Sequence, residues 1–65
     1  MKMWYFIKET FVNDEGQTVV EWWGPGHHSA AKALAWFEWA FGPFDPDEIE
    51  VDLLPEKPEE ALVRS

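Results

Sequence analysis

The chain has 65 residues and 7.6 kDa, with 13 acidic and 5 basic side chains, a formal charge of -8 and an isoelectric point near 4.4. A chain this size hides only about 60% of the surface its unfolded form exposes; lacking cysteine, it has neither a disulfide nor a thiolate zinc site to supplement its core, which leaves self-association as the expected device. The acidic balance removes the basic footprint that phosphate contact requires, and with 46% hydrophobic and 17% aromatic residues the composition is not that of a disordered acidic chain.

Residues 2–12, KMWYFIKETFV, carry aromatic and β-branched side chains on both alternating sets, which predicts a strand buried on both faces. The cluster Asn13-Asp14-Glu15-Gly16 predicts a hairpin loop of three to five residues, with Gly16 supplying the positive φ at its end. Residues 17–23, QTVVEWW, form the returning strand, and Gly24-Pro25-Gly26 is expected to end the sheet. His27-His28 is the only imidazole pair; adjacent residues ahead of a helix rarely aim at one metal, and the reading is an exposed loop.

Ser29 is placed to cap a helix over residues 30–41, AAKALAWFEWAF, which stops at Gly42-Pro43. At 100° per residue, Leu34, Phe37 and Phe41 group with Ala30 and Ala33, while Trp36 and Trp39 project on the other side beside Lys32. A helix on a one-layer sheet needs one apolar stripe. Either ring cluster is compatible with core packing or with contact, but burying both in one subunit exceeds what a single sheet covers. The segment Phe44-Asp45-Pro46-Asp47 reads as a turn. In the third strand Ile49, Val51 and Leu53 alternate with Glu48, Glu50 and Asp52, one set entering the core and the other forming an acidic stripe.

The expected architecture is α+β in ββαβ order: a three-stranded antiparallel sheet with strand one in the centre and one helix across a face, paired as a homodimer. The domain spans residues 1–54, and 55–65 is a tail, either a short helix or a frayed end. No apolar run is long enough for a membrane span. The amino-terminal MKMWYFIKETF lacks the apolar region and small-residue cleavage site of a signal peptide, so a soluble intracellular protein without a membrane partner is expected.

Catalytic chemistry has no good candidate. There is no cysteine nucleophile, Ser29 and Ser65 sit at a helix cap and at the chain end, and the Gly24-Pro25-Gly26 spacing matches no phosphate-binding loop. No cofactor or metal is expected. What remains is Phe37-Glu38-Trp39-Ala40-Phe41-Gly42, in which two rings one helical turn apart can form the walls of a groove flanked by Glu38. On spacing alone the same pattern is an ordinary core stripe beside a solvated glutamate.

The ordered set of a DEG-type hairpin turn, Val20-Glu21-Trp22, Phe37-Glu38-x-x-Phe41-Gly42 and Asp47-Glu48-Ile49 resembles the small phage-encoded inhibitors of uracil-DNA glycosylase that work as DNA-mimicking homodimers. The resemblance covers roughly residues 4 to 54. Phe37, Glu38 and Gly42 match the family's Phe-Glu-x-x-Tyr-Gly contact element, Phe41 standing in place of its tyrosine, and Glu21 matches a family glutamate on the second strand. The chain departs from the family in a longer connection from Gly24 to His28, an extra residue before Asp47-Glu48-Ile49, and the tail. The resemblance implies a paired-helix pocket lined by Phe37 and Phe41 that takes the enzyme's DNA-intercalating apolar side chain. Glu21, Glu38, Glu48, Glu50 and Asp52 would stand in for phosphates, in the cytoplasm of an infected bacterium. The alternative is an acidic interaction module directed at another basic DNA-binding protein.

Overall fold

The computed structural model describes residues 2–64 and contains β1 (Trp4–Val12), β2 (Thr18–His27), α1 (Ala30–Phe41), β3 (Ile49–Leu54) and β4 (Leu62–Arg64). The sheet is antiparallel in the order β3-β1-β2-β4, with the helix on one face. The α+β class, the ββα order and the central place of β1 agree with the sequence. The strand count does not: there are four, and the expected short helix or frayed tail is instead a strand at Leu62–Arg64. Val63 lies opposite Val19 and Leu62 opposite Val20, so the tail extends a ladder whose outer peptide groups would otherwise face water. None of the described helices is long and apolar enough to cross a membrane.

The double-sided apolarity of β1 has a direct structural counterpart. Ile7 is fully buried on the helix side among Ala33, Phe37 and Ile49, and the adjacent Phe6 is buried on the opposite face. The hairpin loop closes as its sequence suggests: Gly16 has φ +79°, and the Asn13 side chain accepts from the amides of Glu15 and Gln17, satisfying two donors that the ladder cannot reach.

The largest local departure is at Gly24-Pro25-Gly26, which continues β2 to His27 where the sequence suggested a stop. Tyr5 pairs with His27 and Ile7 with Trp23, so a single β1 residue, Phe6, faces three of β2. This is a bulge. Its glycines take φ +113° and +89°, and Pro25, which has no amide hydrogen, lies beyond the stretch of β2 that β4 pairs. The bulge folds over both faces: a Cβ on Gly24 would lie 3.5 Å from the Trp36 ring, and one on Gly26 would lie 3.1 Å from Trp4 Cβ and 3.4 Å from the Phe6 ring.

The helix matches its expected bounds. Ser29 Oγ accepts from Lys32 N at 3.1 Å, and Gly42 N closes the last turn onto the Glu38 carbonyl at 2.7 Å. Its faces are redistributed, however. Trp36, expected on the outer side, lies half-buried over Gly24 and beside His27, because the missing side chain at Gly24 leaves room for an indole. Trp39 alone of that pair projects outward, 84% exposed.

Gly26→Ala combines a left-handed backbone with a tight contact and should destabilise the fold by about 2–3 kcal/mol. Gly16→Ala meets open space and should cost about 1–2 kcal/mol from backbone strain alone. Urea titration of both variants checks the order.

Candidate functional site: an aromatic cleft with an acidic border

Phe37 is the residue that fixes α1 on the sheet; it is 4% exposed and packs with Ile7, Ala33 and Ile49. One turn later Phe41 stacks beside it, with ring centroids 4.8 Å apart, and is met edge-on by Trp23 of β2 at 5.1 Å. After the helix stops at Gly42, Pro43 and Phe44 turn back over the sheet, and the Phe44 ring meets Phe37 edge-on at 5.6 Å. Between these rings and the start of β3 lies a cleft of about 280 Å³, floored by Ile49. Phe41 remains 53% exposed at its mouth.

The border of the cleft is acidic. Glu9 of β1 shares the helix-facing side of the sheet with Tyr5 and Ile7, and its Oε1 accepts from Trp23 Nε1 at 3.2 Å, which orients both side chains. Asp45 and Glu48 come from the α1–β3 loop. The loop is held by its own bonds: Asp45 Oδ1 accepts from Asp47 N, Glu48 N donates to the Asp45 carbonyl, and Thr10 N donates to the Glu48 carbonyl. Among the described residues, no basic side chain lines the cleft. Glu21 lies directly opposite Glu9 on the neighbouring strand, a like-charge placement that raises the local negative potential.

The seven residues singled out from the sequence therefore divide into groups. Phe37, Phe41 and Glu48 meet at the cleft. Glu21 lies beside it, in a depression shared with Trp22, Lys57 and the segment leading to β4. Glu50 and Asp52 project from the other face of the sheet, where Trp22 Nε1 donates to Asp52 Oδ2 at 2.9 Å and Lys8 Nζ approaches Glu50 Oε2 at 3.8 Å. Glu38, expected on the flank of the ring pair, is exposed and does not line the cleft.

Six residues of the cleft were not singled out as site residues in the sequence: Glu9, Trp23, Pro43, Phe44, Asp45 and Ile49. Glu9 left a detectable signal, a carboxylate on the inward parity of a strand whose neighbours at that parity are Tyr5, Ile7 and Phe11. Phe44 and Asp45 carried only turn chemistry. The histidines also separate. His28 is exposed against Trp4, whereas His27 belongs to β2 and its Nε2 is buried without a hydrogen-bond partner, so the exposed-loop reading fails for it. No cluster of three or more potential metal ligands occurs among the described residues.

No protein-family model, curated protein or solved structure matches the chain.

The two rings should separate in stability measurements. Phe37→Ala removes a sealed core side chain and should cost about 3–5 kcal/mol, whereas the half-exposed Phe41→Ala should cost about 1–2 kcal/mol. Equal losses in denaturant titrations would place Phe41 in the core beside its neighbour.

Proposed function

We propose that the chain is a protein inhibitor of uracil-DNA glycosylase acting by DNA mimicry, a binding protein and not an enzyme. The resemblance of Phe37-Glu38-x-x-Phe41-Gly42 and its accompanying segments motivates the reading. The observation that supports it is the half-exposed Phe41 at the mouth of an acid-bordered aromatic cleft. A glycosylase that extracts a base from duplex DNA grips phosphates in a positive groove and inserts an apolar side chain into the stack. In the proposed complex that side chain packs on the exposed ring of Phe41 at the mouth of the cleft. Its burial contributes roughly 1.5–3 kcal/mol without the unstacking that DNA requires. The carboxylates act mainly on the rate and register of encounter, and the pocket on dissociation.

The outward side of the helix supports the self-association part of this reading. That side presents Ala31, Ala35 and the 84% exposed Trp39, with only Lys32 and Glu38 as charges. The buried core of the described residues is small: Phe6, Ile7, Val19, Ala33, Phe37 and Ile49. A second copy seated on that helix face would supply the missing apolar contact.

The position of Glu38 away from the cleft favours keeping one alternative: the same acidic surface directed at another basic DNA-binding protein, which would not need the complete Phe-Glu-x-x-Phe element. A uracil-excision assay separates the two. The first reading predicts near-stoichiometric inhibition of a bacterial uracil-DNA glycosylase, weakened at least tenfold by Phe41→Ala, with association slowed by added salt. Glycosylase activity unchanged by excess protein rejects it. Sedimentation should give twice the 7.6 kDa chain mass for the native chain and the single mass for Trp39→Lys.

A further inference from the structure

We propose that the cleft seats an arginine side chain presented by a partner protein. The inference goes beyond the glycosylase reading and does not depend on it: an apolar wedge would occupy the exposed ring of Phe41, whereas the cleft behind it has the chemistry of a cation seat. Its volume of about 280 Å³ is at or below the lower end of small-ligand pockets, roughly 300–1,000 Å³, and suits one long side chain. Its walls include the rings of Trp23, Phe37, Phe41 and Phe44; an aromatic face attracts a cation through the ring quadrupole and a planar guanidinium through stacking.

The charges point the same way. The Glu9 carboxylate is turned toward the cleft by its bond to Trp23 Nε1, yet that bond is to a neutral donor and leaves its charge uncompensated. Glu21 stands opposite it, and Asp45 and Glu48 complete the border with no base among the lining residues. Lys57 lies in the adjoining depression beside Glu21. Lys8, the nearest strand cation by sequence, is on the other face with Glu50. An occupant with an apolar stem and a forked cationic head satisfies both parts: the methylenes lie along Phe37, Phe41 and Ile49, and the guanidinium meets Glu9. A wholly apolar occupant would dehydrate that carboxylate without a counter-charge.

The test is an NMR titration of the full chain with N-acetyl-arginine amide and with its uncharged isostere, N-acetyl-citrulline amide, following the Trp23 indole N–H and the Ile49 amide. The arginine derivative should shift both signals and the citrulline derivative should bind about tenfold more weakly. Glu9→Gln keeps an acceptor for Trp23 while removing the charge, and should weaken arginine binding several-fold with citrulline binding unchanged. Phe41→Ala should weaken both ligands, and Asp52→Asn, on the other face, neither. Equal binding of the two ligands, shifts confined to Trp22 and the β4 segment, or no shift at all would overturn the proposal. The glycosylase reading is judged separately by the excision assay, since failure there leaves the titration unaffected.

Discussion

The contact between Phe37 and Ile7 sets the geometry of everything around it. Once Phe37 is buried over the centre of the sheet, the next helical turn is committed: Phe41 lies about 6 Å further along the helix axis. The next residue of β1 on that face lies about 7 Å from Ile7, and it is Glu9, with Glu21 opposite. The helix thus carries its second ring from an apolar part of the sheet to an acidic one. Phe41 cannot be sealed against carboxylates that must stay hydrated, so burial stops there and a cleft remains. Half-exposure of Phe41 is a result of the sheet's sequence rather than of any feature of the ring.

The same limitation explains why so much aromatic surface yields so small a core. The rings are spread over both faces of a single sheet and both ends of the helix. Phe6 and Trp4 meet the Gly26 bulge on one face; Trp36 lies over Gly24 on the other. The bulge is therefore a packing device: two glycines let β2 fold closely around side chains that an ordinary strand would hold at a distance. The packing it provides is local, and the outward side of α1 keeps Trp39 without a partner among the described residues.

The architecture was legible because its signals are local and mutually consistent. Ser29 and Gly42 bracket twelve helix-compatible residues, Asn13 to Gly16 carry loop chemistry, and Ile49 to Leu53 alternate cleanly. The misreadings arose where identity and context conflict. Gly24-Pro25-Gly26 has the composition of a terminator, but its role depends on the Phe6 and Trp36 rings that occupy the space above it. Leu62 to Arg64 is too short to announce a strand and acquires that state only from the exposed edge of β2. The cleft was half legible: Phe37 and Phe41 follow from helical spacing, whereas Trp23, Phe44 and Glu9 join them through strand register and loop path, which no single segment encodes.

The separation of acids onto two faces constrains how any partner can approach. Glu9 and Glu21 lie on the helix side, Glu50 and Asp52 on the other, and β3, which carries the second pair, is the outer strand beside β1. Because Thr10 N donates to the Glu48 carbonyl, the antiparallel ladder assigns Glu50 and Asp52 to inward bonding and turns the peptide groups of Ile49, Val51 and Leu53 outward. A partner that reads the whole acidic set must straddle this edge; one that enters only from the helix face meets the cleft and leaves Glu50 and Asp52 unused. Those two acids are also unequal as phosphate substitutes. Lys8 partly offsets Glu50, while the neutral indole of Trp22 holds Asp52 in place and leaves its charge intact. Of the stripe read from alternation, Asp52 is thus the member best fitted to present a fixed negative charge to a basic groove.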